Sequence, residues 1–95
     1  MDLLPYRSQI DALDDEIVRL FRRRMEIVEE LGRRKPAAGL PLADPEREEQ
    51  IIARLCGQLP ESLQPGLRRL YETLFAIGKD LMSQESENPT KQSEL

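Results

Sequence analysis

Arg7, Arg24, Lys35 and Arg47, with Asp44 and Glu48 beside the last of them, are the residues of this chain whose types and spacing point to chemistry. Apolar residues recur at Leu3, Ile10, Leu13, Ile17, Leu20, Ile27 and Leu31, the three-four alternation of one helix face. Stepping back from Ile10 on that spacing lands on Arg7, the interval between Leu20 and Ile27 contains Arg24, and the step beyond Leu31 reaches Lys35. In the second apolar row, Ile51, Ile52, Leu55 and Leu59, counting back by four places Arg47 and Glu48 on the same side. A charge on an inward stripe costs several kcal/mol unless it finds a partner. The pattern therefore predicts either internal ion pairs or a cavity that takes an anion. Arg7 and Lys35 also fit solvated side chains near helix ends, and a cation suits the C-terminal end where Lys35 lies. Arg47 at a helix start opposes the helix dipole, so something other than local stability recommends it. Taken together, these groups suit a small polyanion bearing hydroxyl groups, its carboxylates held by bidentate arginine forks.

Composition narrows the chemistry. There is no His and a single Cys56, so neither an internal disulfide, a zinc set nor a catalytic triad can be assembled, and no metal or cofactor is expected. Cys56 adjoins an apolar row and reads as a small core residue. A net charge of −4 argues against nucleic acid or an anionic membrane as partner, since those require broad basic surfaces. With no apolar leader and no membrane-length apolar run, the expectation is a soluble cytoplasmic protein.

The elements that must position these residues are all helical, and the expected fold class is all-α with three helices, the first long. Asp2 can cap a helix starting near Leu4 and Pro5, and Pro36 disfavours helical geometry at Lys35, which predicts an end close to Lys35. Residues 36–43, rich in proline, read as loop. Asp44-Pro45 followed by acids is a strong start for a second helix running to about Leu59. Pro60 to Pro65 breaks the chain, Ser62 offers a local cap, and a third helix is predicted from about Gly66 to Ser83. Leu67, Leu70, Leu74, Ile77 and Leu81 form its inner face, with Tyr71, Phe75, Gly78 and Met82 beside them. This gives a helical domain over residues 1–84 and a polar, disordered tail over 85–95. The hydrophobic fraction is 39% with no Trp, so the core must be thin. A helix of about thirty residues is roughly 45 Å long, more than a compact domain of this size is wide. It would overhang a monomer and expose its stripe, which self-association with two-fold symmetry would cover.

The segments LLPYRSQIDALDDEIVRLFRRRMEIVEELGRRK, GLPLADPEREEQIIARL and LYETLFAIGKDL resemble the all-α chorismate mutases of the AroQ class across about residues 3–82. The specific parts are Arg7, Ile10-Asp11, Leu13-Asp14, Arg24, the Gly32 to Lys35 spacing and Asp44-Pro45-x-Arg47-Glu48; in order and together they are a strong signature. The resemblance implies an intertwined homodimeric bundle with two active sites completed across the dimer, and the rearrangement of chorismate to prephenate on the path to phenylalanine and tyrosine. It implies that Arg24 and the partner subunit's Arg7 grip the enolpyruvyl carboxylate, that Arg47 faces the ring carboxylate, and that Lys35 donates to the ether oxygen. Asp44 and Glu48 would orient the ring hydroxyl. The third helix departs from the pattern: Gly78 stands where a serine is usual, and Met82 where a glutamine assists at the ether oxygen. Methionine cannot donate a hydrogen bond, so lowered efficiency is expected.

Three other readings compete with a mutase. One is a non-catalytic domain that senses chorismate or prephenate, motivated by Gly78 and Met82. Another is isochorismate pyruvate lyase, which resembles the same scaffold. The last is a helical interaction module in which the inward cations pair with Glu48 and other acids.

Overall fold

The computed structural model describes residues 1–87 and has the element order α1 (Leu4–Ala37), α2 (Pro45–Cys56), a short 3₁₀ turn (Glu61–Leu63) and α3 (Gln64–Glu87). The fold class among the described residues is all-α. No helix is long and apolar enough to cross a membrane.

Local chemistry explains the boundaries. The Leu4 amide donates to Asp2 Oδ1 at 3.0 Å, anchoring the start of α1. At its other end α1 passes through Lys35 and Pro36 to Ala37 instead of stopping at Lys35. So close to the end, Pro36 deprives the helix of one hydrogen bond. The carbonyls of Arg34, Lys35 and Pro36 are taken by the amides of Ala38, Leu40 and Gly39. Gly39 has φ +74°, the left-handed geometry that reverses the chain and that glycine adopts without penalty.

Asp44 caps α2, its Oδ1 accepting from the Arg47 amide at 3.1 Å. This helix stops at Cys56, short of Leu59, because the amides of Gln58 and Leu59 bond Leu55 and Cys56 in tight turns. The Gln64 side chain then donates to the carbonyls of both Cys56 and Leu59. That contact starts α3 two residues before Gly66, and Ser62 provides no cap, since the 3₁₀ turn has no side-chain capping bond. At the far end α3 continues past Ser83 to Glu87, so residues 85–87 belong to the helix; the rest of the expected tail lies outside the described residues.

The core is small. Met25, Ile52, Phe75 and Met82 are buried, one or two from each helix. The face of α1 that meets α3 carries Arg24, Met25, Val28 and Gly32, whereas the stripe from Leu3 to Leu31 stays exposed along its whole length. On α3, Phe75, Gly78 and Met82 are buried, Leu67, Leu74, Ile77 and Leu81 of the predicted inner face are half-buried, and Leu70 is open. Each leucine-rich stripe lies beside the packed face, and Ile17, Leu20 and Phe21 face Leu70, Leu74 and Ile77 across an apolar groove of about 490 Å³. The first twenty-three residues are exposed throughout, so α1 overhangs the rest of a chain whose extents are 58 × 32 × 15 Å.

Two glycines allow α1 and α3 to approach. A Cβ on Gly32 would lie 2.7 Å from Met82 Cα, and one on Gly78 would lie 3.2 Å from Val28 Cγ1. Gly32 does not merely weaken the end of α1; it is where the two helices touch. Gly32→Ala is expected to destabilise the fold, because overpacking against backbone costs about 1–3 kcal/mol and exceeds the roughly 0.5–1 kcal/mol gained in helix propensity. A urea titration that found the variant as stable as the parent would contradict this contact.

Surface carboxylates make stability depend on acid. Hydrogen bonds from Arg33 and Arg34 hold the Glu30 carboxyl below its ordinary value, and one from Arg68 does the same for Glu49. A carboxyl whose folded pKa is depressed contributes stability above the unfolded value, near 4.5, and loses it as pH falls through the folded value. The melting temperature is therefore expected to fall on acidification below about pH 4.5, and less steeply in Glu49→Gln. Equal slopes for the two proteins would remove Glu49 from the account.

Candidate active site

The three helices bring Arg24, Lys35, Asp44, Arg47, Glu48, Gly78 and Met82 around one cleft. From α1 come Arg24 and Lys35, with Val28 between them. Asp44 caps α2, Arg47 and Glu48 belong to its first turn, and Phe75, Gly78, Lys79 and Met82 lie on one face of α3. Arg7 is not among them. It is exposed on the overhang, seventeen residues before Arg24 and so about 25 Å away along α1 at 1.5 Å per residue.

Arg24 is half-buried, and its guanidinium carbon lies 5.6 Å from the ring centroids of both Tyr71 and Phe75. Those rings meet edge to face at 5.9 Å, forming a fixed apolar corner. Among the described residues no carboxylate pairs with Arg24. Its side chain is held by π faces, which leave the N–H fork available to an incoming anion. An interior ion pair would have used those donors.

Lys35 is half-buried, and its Nζ donates to the Leu42 carbonyl at 3.4 Å, tying the loop between α1 and α2 beside the cleft. Asp44 uses Oδ1 to cap α2, which leaves Oδ2 for a ligand. Arg47 lies on the exposed rim, and Glu48 is turned inward. Gly78 contributes backbone and close packing to the wall, and Met82 is only 8% exposed, against Gly32. The Met82 thioether supplies no hydrogen-bond donor to the cleft. Gln84 does not supply one, being exposed on an uninterrupted helix.

Lys79 was not visible among the cations singled out from the sequence. Its Nζ lies 3.1 Å from Glu48 Oε2 and 3.3 Å from Oε1. The available signal was its position four residues after Phe75 and three before Met82, the spacing of a shared helix face. Tyr71 and Phe75, read as core, also serve as the platform for Arg24.

Comparison with known proteins gives the family. The family described as chorismate mutase type II matches residues 6–83. A chorismate mutase of Methanocaldococcus jannaschii is 30% identical over 95 residues, covering 94% of this chain and 95% of its own. The T-protein of Haemophilus influenzae is 36% identical over 76 residues, 74% of this chain and 20% of its own. A bifunctional chorismate mutase/prephenate dehydratase of Aquifex aeolicus is 37% identical over 54 residues, 57% of this chain and 15% of its own. The chain thus spans about a fifth of the T-protein it matches. No solved structure matches it. With the family match running from the start of α1 nearly to the end of α3, the chain belongs to the chorismate mutase type II family.

Proposed function

We propose that the cleft binds chorismate and converts it to prephenate by an intramolecular Claisen-type rearrangement. The observation that carries this reading is Arg24: it lies against two aromatic rings with its donors unclaimed by any described carboxylate. Its fork grips the enolpyruvyl carboxylate, Arg47 faces the ring carboxylate, and Asp44 Oδ2 and Glu48 receive the ring hydroxyl. Lys35 exchanges its long bond to Leu42 for the ether oxygen, where negative charge grows as the C–O bond breaks. No nucleophile, general base or metal is needed. The protein's task is to hold the compact reactive conformer and to aim donors at the transition state.

The proposal includes a second copy of the chain. Arg24 borders both the cleft and the apolar groove along α1 and α3. An α1 overhang from another protomer, laid in that groove, covers the exposed stripe and brings the partner subunit's Arg7 toward Arg24. The resulting homodimer has two sites, each built from both chains, and it acts in the cytoplasm on a diffusible dianion.

Met82 supports a second reading, in which the domain binds chorismate or prephenate without turnover and reports that binding to an attached or separate enzyme. Sedimentation combined with an assay for chorismate loss and prephenate appearance separates the two. A folded dimer with no rate above the uncatalysed one would reject the mutase, and saturable binding without product would establish the sensor. Release of salicylate and pyruvate from isochorismate would instead identify a lyase.

A further inference from the structure

Lys79 is the one cation of the cleft that the mutase reading leaves without a task. It joins α3 to α2 across thirty-one residues of sequence, and its ammonium straddles both oxygens of Glu48 at 3.1 and 3.3 Å. The Glu48 side chain is 24% exposed, and the two residues close the edge of the cleft together. A carboxylate free to turn would present its oxygens over a wide range of angles. One that shares a single ammonium between both oxygens is fixed in plane, and each oxygen keeps a lone pair for another donor.

Charge balance points the same way. Arg24, Lys35 and Arg47 set against Asp44 and Glu48 leave one net positive charge in the cleft of one chain, and Lys79 makes it two before the partner subunit's Arg7 is added, an excess that favours a dianion. A neighbouring pair provides a contrast. Arg68 and Glu49 also join α3 to α2, at 2.9 Å, but neither lines this cleft. That pair joins the same two helices outside the cleft.

We propose that Lys79 is a positioning residue: it orients the Glu48 carboxylate toward the hydroxyl of the bound substrate. This rests on the reading of the cleft as a chorismate site. Lys79 acts through Glu48 and touches no reacting atom.

The test is steady-state kinetics on the full chain with chorismate, comparing Lys79→Met, Lys79→Arg, Glu48→Gln, the double variant Lys79→Met/Glu48→Gln, and Arg68→Met. Lys79→Met is expected to lower kcat/KM roughly tenfold, the size of effect usual between coupled neighbours, while Lys79→Arg restores most of it. In the Glu48→Gln background, removing Lys79 is expected to change kcat/KM by less than about twofold, because the group it positions is gone. Arg68→Met reports the effect of losing an ion pair between the same helices and is expected to leave both kinetic constants near wild type. An undiminished Lys79→Met effect in the Glu48→Gln background would overturn the inference. So would a Lys79→Met enzyme kinetically identical to Arg68→Met. In both cases wild-type turnover stands, so the mutase reading survives; absence of wild-type turnover refutes that reading and the role of Lys79 with it.

Discussion

Arg24→Ala is expected to reduce turnover of chorismate by at least about 10²–10³-fold, the range seen when a donor aimed at the reacting region is lost. The reasoning starts from packing. Tyr71 and Phe75 support the guanidinium on faces that offer no hydrogen bond, so its binding capacity is directed at whatever enters the cleft. Arg24→Lys keeps the charge but not the planar fork, and should fall between the two. Removing the contacts with the rings costs about 0.5–1 kcal/mol at a partly exposed site. The variant should therefore still fold, and its loss of activity will not be a loss of structure. Prephenate formation measured beside a melting curve separates these effects. Activity within a few-fold of wild type in folded Arg24→Ala would take Arg24 out of the site.

Met82→Gln is expected to work in the opposite direction, raising kcat by up to about 10²-fold. Met82 lines the cleft on the same face as Phe75 and Lys79, and its thioether supplies no donor to an ether oxygen. An amide there adds one. The position is buried against Gly32, so an amide without a partner costs about 1–3 kcal/mol in the free protein. Substrate would satisfy part of that demand. The variant should melt lower than its parent when free and gain more from a bound dianion, a trade of stability for activity that calorimetry with and without ligand can measure. An unchanged kcat in a folded Met82→Gln protein would mean that the breaking bond lies elsewhere.

Part of this site was legible along the chain because the relevant physics is local. Asp44 before Pro45 specifies a helix start through one carboxylate and one missing amide, and the structure has that bond. The inward place of Arg24, the inward turn of Glu48 and the position of Lys35 near the end of α1 followed from counting residues on helices. Pro36 misled: its ring crowds Lys35 and disfavours helix there, but the bonds that Ala38, Gly39 and Leu40 make to the last carbonyls of α1 offset that cost. The apolar stripe of α1 did not reveal which strip α3 packs against. It is the most regular row, yet α3 lies against the neighbouring strip through Met25, Val28 and Gly32. Regularity reports that a face is to be buried, and does not say against which helix.

By itself the sequence determined the three helices, their breaks near proline and glycine, and the inward side of Glu48, whereas Arg7 and Arg47, counted onto inward rows, are exposed. Capping, proline sterics and residue periodicity act within one or two turns and need no distant partner. The tertiary structure decided what depends on residues far apart in the chain: the Gly32–Met82 contact that brings α1 against α3, the aromatic corner that frees the donors of Arg24, and the hold of Lys79 on Glu48. Side chains on different helices meet only once the crossing is set, and that crossing is a property of the packed surfaces together.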